Sequence, residues 1–357
     1  MEQKELGKVL FIPEEEIASF ISKGIPVSDK NIPWRTFELN GGIGKITAMC
    51  NCGEFLEIYK IDKTFQVTST RSVNPKETNK NEMWTAFPVA DVGSGNPIIA
   101  RVLLQGQEIL KAAVFDRKID KEVIIRQLHS CKELLLANEN ITHKISASID
   151  SIIYQINSND LPMDGNGRVI NPFPQVPDLD AQCSAYLIQA NKVIKLICEL
   201  PRLFISLERV DSNFDHLGNR LEKVLGNNSQ LTVFVRKHAD GIRHIVELRN
   251  YYEHPQKRKR TIIDNFHLLP GSGIQVPVWH LSDDVPRSIK EEMIAANLYL
   301  RDVVETMLIL LVMHCVTRKI PYVILIGTAD QIDKKVPIKY RLSLDVSKLK
   351  IAKNKHS

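Results

Sequence analysis

What the chain lacks narrows its chemistry first. Its most apolar run, Met307 to Val312, is far too short to span a bilayer. The six cysteines include one close pair, Cys50 and Cys52, and no second Cys or His pair stands at a spacing that completes a zinc pattern. Cys131, Cys183, Cys198 and Cys315 sit among apolar helical residues, where a thiol behaves as a small hydrophobe. Gly41-Gly42-Ile43-Gly44-Lys45 falls short of a phosphate loop, because that loop needs four residues between its glycines and Ser or Thr after the lysine. Asp164-Gly165-Asn166-Gly167 lacks the length and terminal glutamate of a calcium loop and reads as a turn. The charged start, with Glu14-Glu15-Glu16, has no secretory signal pattern. These absences point to a reduced, cytoplasmic protein with no membrane partner, no metal and no cofactor.

What is present indicates two domains and an extension. A chain of 357 residues with 43% hydrophobic and 25% charged residues has ordinary globular composition and exceeds one domain. The fold class expected is α+β: residues 1–120 as a β-rich domain of unknown role, 121–318 as a helical bundle, and 319–357 as a basic extension with two short strands. In the first part, β-forming runs at Lys45–Met49, Phe55–Ile61, Thr64–Ser69, Ile98–Leu104 and Ile109–Phe115 are broken by Gly, Pro and Asn. A short helix is expected around Pro13–Ser22, and an exposed loop at Asn74–Asn81. From about residue 121 the period changes to that of helices, expected as one or two long helices up to about residue 157 and then near 181–207, with a kink at Pro201, 213–225, 230–253 and 286–318. Residues 255–285 read as a long connection, and Tyr322–Thr328 and Ile338–Val346 as strands.

Net charge is +5, and the excess is clustered. One cluster is Lys257-Arg258-Lys259-Arg260; the other is the tail from Lys334, where eight cations face Asp345 alone. A charge run is often just a solvated face, but clustering favours partners that carry phosphate. The first cluster follows Glu247-Leu248-Arg249-Asn250-Tyr251-Tyr252-Glu253-His254-Pro255, which closes the helix begun near Gln230. Arg249 lies in line with the apolar stripe Leu231, Val235, Ile242 and Ile245, so its guanidinium needs an anionic partner. Pro255 pushes His254 out of the α region and ends the helix. Trp279, His280, Asp283 and Asp284 lack ligand spacing and read as loop and cap.

Arg249-Asn250-x-x-x-His254 resembles the R-x-x-x-x-H signature of the HEPN superfamily, over roughly residues 122–318. The resemblance implies a bundle of four or five helices, homodimerisation, and metal-independent endoribonuclease activity of the kind found in toxin–antitoxin and anti-phage defence systems. It makes Arg249, Asn250 and His254 the catalytic candidates, with an antitoxin or sensor as a possible partner. Chemically, a histidine titrates near working pH and suits proton transfer from the ribose 2′-OH or to the leaving 5′-oxygen. Arg249 would hold the phosphate bidentately, and Asn250 would orient His254 or substrate. One imidazole does not easily serve as acid and base together, so a two-fold dimer would bring the second. Lys257, Arg258, Lys259 and Arg260 would follow the RNA backbone and Tyr251 would stack a base, whereas Tyr252 falls on the apolar stripe and packs. Some HEPN toxins have a tyrosine two places after the histidine that a partner enzyme modifies; Gln256 stands there in this chain. Two other readings remain: a non-catalytic module of the same fold that binds nucleotide, RNA or protein, and a structural role for Arg249 and His254 alone.

Overall fold

The computed structural model describes residues 39–53, 55–69, 84–158, 171–207, 213–269 and 273–348. The chain is a mixed α+β protein that divides into two units, residues 1–129 with 316–357, and residues 130–315.

In the first unit, strands β1 (Ala48–Asn51), β2 (Leu56–Tyr59), β3 (Thr64–Ser69) and β4 (Trp84–Ala90) form an antiparallel meander in that order. The period of two divides the faces. Ile58, Phe65 and Val67 are buried on one face with Met49, Leu56 and Ala86 against them. Cys50, Cys52, Glu57 and Tyr59 alternate with that set, and all four are buried. Gly93 approaches the turn after β2 so closely that a Cβ would lie 2.0 Å from the Lys60 carbonyl oxygen, so no other residue fits there. A π-helical segment, Ile99–Leu104, runs into helix α1 (Gln105–Ala112). Strands were expected over Ile98–Leu104 and Ile109–Phe115; the structure corrects the first to helix and the second to helix as far as Ala112, with Phe115 in an isolated antiparallel bridge to Val316. Ile98, Ile99, Ala100, Val102, Leu103 and Leu104 are all buried and only Arg101 is partly exposed, so the helix shows no clear amphipathic period.

Strands β10 (Tyr322–Ile326) and β11 (Tyr340–Leu344) pair antiparallel and belong to this first unit. The Gln105 Oε1 accepts the backbone N–H groups of Lys339 and Tyr340 at 2.8 and 2.7 Å, and the Ser94 hydroxyl donates to the Lys335 carbonyl at 2.7 Å.

Helix α2 (Lys121–Asn157) contains the boundary between the units, after His129. The second unit holds the rest of α2 with α3 (Leu179–Phe204), α4 (Phe214–Leu225), α5 (Gln230–Glu253) and α6 (Ile289–Cys315). Helix α3 packs against both α5 and α6, and α4 lies along α5. In its second half α6 buries Val303, Val304, Met307, Leu308, Leu311 and Val312, the near all-round burial of a central bundle element. A polar thread crosses this core: the Tyr186 hydroxyl donates to the Met293 carbonyl and Asn297 Oδ1, and Asn297 Nδ2 donates to the Thr142 hydroxyl at 2.9 Å.

The connection expected over 255–285 is instead structured. It holds β5 (Thr261–Asp264), β6 (His267–Leu269), β7 (Gly273–Gln275) and β8 (Val278–Leu281), and β9 (Arg287–Ser288) joins β5 and β8 in a three-stranded sheet. Strands of two to four residues are too short for their alternation to stand out. The expected helix at Pro13–Ser22, loop at Asn74–Asn81 and turn at Asp164–Gly167 lie outside the described residues. No described helix is long and apolar enough to cross a membrane.

Candidate functional site

The site is built on the last turn of α5. The helix starts cleanly because the Ser229 hydroxyl accepts the Thr232 backbone N–H at 3.1 Å. Leu231, Val235, Ile242, Ile245 and Leu248 then hold one face in the bundle. The helix stops at His254, whose backbone leaves the α region (φ −130°, ψ 67°) ahead of Pro255. Its N–H still reaches the Asn250 carbonyl at 2.8 Å. Thr261, in β5, returns its hydroxyl to the Leu248 carbonyl at 2.7 Å, so a carbonyl near the helix end is satisfied by a side chain.

Arg249 has the anionic partner its position requires. Its guanidinium pairs with the Glu253 carboxylate one turn on, and its Nη1 donates to Asn250 Oδ1 at 3.0 Å. The side chain is one quarter exposed, and its Nε is enclosed without a hydrogen-bond partner. His254 is 79% exposed, and its Nε2 lies 4.0 Å from the same Glu253 oxygen that faces Arg249. Guanidinium and imidazole therefore meet through one carboxylate. Glu253 is the residue that sequence reasoning passed over. Its signal was the four-residue step from Arg249, which places both on one helix face.

The exposed side of this turn borders a cleft of about 540 Å3 lined by Asn213, Asp215, Arg243, Asn250, Tyr251 and His254, among others. Arg243 is held there by Asp215 at 2.7 and 3.1 Å and by Asp240 at 2.8 Å. The cleft wall thus carries both signs of charge.

The remaining candidates divide. Lys257, Arg258 and Arg260 are exposed beside the cleft-lining Gln256. Lys259 faces inward: its Nζ lies 3.2 Å from Glu247 and 4.8 Å above the Tyr251 ring. This revises two expectations, because one face of Tyr251 is covered by a cation and Lys259 is already paired. Tyr252 is half-buried, its hydroxyl donating to Asp180 at 2.5 Å; that bond, with burial, raises the phenol above its ordinary value. His280 and Asp284 serve the local turn. His280 Nδ1 lies 2.7 Å from the Leu281 carbonyl, and Asp284 accepts the Val285 N–H at 2.8 Å.

A second histidine–carboxylate pair stands further back on the same helix. His244 Nε2 lies 2.8 Å from Glu292 Oε1, the Trp279 indole N–H donates to the other oxygen, and Arg287 approaches at 3.3 Å. Burial alone would raise the Glu292 carboxyl, but the bonds from His244 and Trp279 and the charge of Arg287 outweigh it and hold the group below its ordinary value. Beside this pair is an apolar cavity of about 200 Å3, with Tyr186, Trp279 and Tyr299 in its wall. The pair joins segments 48 residues apart, so no local motif marks it.

Compared with protein-family models, curated proteins and solved structures, the chain shows no match.

Proposed function

We propose that the second unit is a metal-independent endoribonuclease of HEPN type, working as a homodimer in a toxin–antitoxin or anti-phage role. The observation that supports this reading is the Glu253 carboxylate standing between the Arg249 guanidinium and an exposed His254 imidazole. A phosphodiester entering from the cleft can replace Glu253 as the anion facing Arg249. His254 then accepts the ribose 2′-OH proton, the 2′-oxygen attacks phosphorus, and the 5′-oxygen leaves with a proton from the partner protomer's copy of this imidazole. The products are a 2′,3′-cyclic phosphate and a 5′-hydroxyl. Lys257, Arg258 and Arg260 supply the salt-sensitive part of binding.

The pairing of Arg249 with Glu253 also favours a second reading, in which the helix end binds an anionic ligand without cleaving it. One assay separates the two. RNA is incubated with wild type, Arg249→Ala and His254→Ala in EDTA, with circular dichroism confirming the fold of each. Wild type alone is expected to cleave, with losses of about 100-fold or more in the variants. Equal cleavage by His254→Ala overturns the nuclease, and binding without cleavage in every sample selects the second reading. A solution mass of one chain removes the composite site.

A further inference from the structure

The first unit holds a cluster that the ribonuclease reading does not use. Cys52 Sγ, a Glu57 carboxylate oxygen and a His129 ring nitrogen all lie within 4.8 Å of one another. They come from the turn after β1, from β2, and from the first turns of α2. Register explains the first two. Cys50 pairs with Glu57 across the β1–β2 ladder, which puts their side chains on one face, and Cys52 follows Cys50 by two. This is the sheet face opposite the Ile58, Phe65 and Val67 core. His129 reaches the same point, its Nε2 2.9 Å from Glu57 Oε1, with its ring set edge-on to Phe55 at 5.4 Å between centroids. The Tyr59 hydroxyl donates to the other Glu57 oxygen. Cys52 and Glu57 are 5% and 4% exposed, and the His129 side chain 15%.

We propose that Cys52, Glu57 and His129 bind a zinc-class divalent cation that ties β2 to the start of α2. Thiolate, imidazole and carboxylate are the three donor types zinc takes, and bonds of about 2.0–2.3 Å at tetrahedral angles place donor atoms about 3.3–3.7 Å apart. The three atoms therefore need to move by roughly an ångström or less. Binding deprotonates Cys52, and the thiol proton leaves to solvent. Tyr59 then orients the ligating carboxylate from behind, and the buried Cys50 thiol stands directly across the ladder from Glu57. Sequence spacing hid the set, since 72 residues separate Glu57 from His129.

The test uses the reduced full-length chain, freed of metal and titrated with Co2+ and then Zn2+ against a chromogenic chelator. Wild type is expected to take up one equivalent and show intense near-ultraviolet thiolate-to-cobalt absorption. Cys52→Ser should lose that absorption, Cys52→Ser and His129→Gln should each bind at least about 100-fold more weakly, and Tyr59→Phe about 10-fold more weakly. Cys183→Ser, which alters a buried thiol in the second unit, should leave binding unchanged. A wild type that binds neither metal, or binds cobalt without the thiolate band, overturns the proposal even where a variant fails to fold. Folded Cys52→Ser and His129→Gln chains that bind like wild type overturn it too, leaving a metal-free hydrogen-bonded network.

Discussion

Two histidines, His244 within helix α5 and His254 just past its end, each face a glutamate, and their surroundings could hardly differ more. His244 meets a Glu292 side chain that is 17% exposed and also takes an indole N–H and a guanidinium. His254 meets Glu253 at 4.0 Å in the open, with its own ring 79% exposed. The first pair is closed by its neighbours and belongs to the packing of the bundle. The second is a loose contact in high dielectric, where an ion pair is worth little and an incoming anion can compete. The same residue types within one helix and at its end thus divide into a structural knot and an available site. Burial decides between them, not identity.

That contrast can be broken at either end. The largest effect is expected at the closed pair. Trp279→Ala removes a fully buried side chain and the indole bond to Glu292, and should cost about 3–5 kcal/mol in urea unfolding. A loss under about 1 kcal/mol would show that the knot carries no weight. Next comes Glu292→Gln, read against pH. A carboxyl held below its ordinary value adds stability that is fully present above its unfolded pKa and fades as pH falls through the lower folded pKa. Wild-type stability should therefore drop more steeply than that of Glu292→Gln below about pH 4, and parallel curves would contradict the shift. At the open pair, Glu253→Gln leaves Arg249 without its counter-charge. RNA binding at low salt should tighten several-fold, and unchanged binding would mean that Arg249 does not face the ligand. The smallest change is His254→Ala, expected within about 0.5 kcal/mol of wild-type stability. A larger loss would make His254 a second structural histidine and erase the contrast.

Much of the scaffold was legible because period is a strong signal over long segments. Helices α2 to α6 begin and end within a few residues of where the apolar stripes of Val123–Ile152, Leu231–Ile245 and their neighbours place them. Strands β2 and β3 stood out through alternation and bracketing turns. The π-helical segment and α1 did not, because Ile98 to Leu104 is apolar at every position but Arg101 and such a run fits strand and helix alike. The short strands β5 to β9 were lost for the opposite reason, with too few residues to show a period. At the site, the helix end at His254 and the need of Arg249 for an anion both followed from local sequence. That Glu253 supplies the anion, that Lys259 covers Tyr251, and that His129 reaches Glu57 depend on side-chain directions and distant segments. Spacing along the chain does not encode those.

The seven-residue segment between α5 and β5 is fastened at both ends. The Gln256 N–H reaches the Lys259 carbonyl at 2.9 Å, the Arg260 N–H reaches the Ser282 hydroxyl at 3.2 Å, and Thr261 is tied to Leu248. A polyanion arriving there meets a prearranged row of positive heads whose main chain has already surrendered its freedom, so most of the ordering on contact falls on the ligand. Lengthening this loop with glycines would keep every charge and loosen the grip.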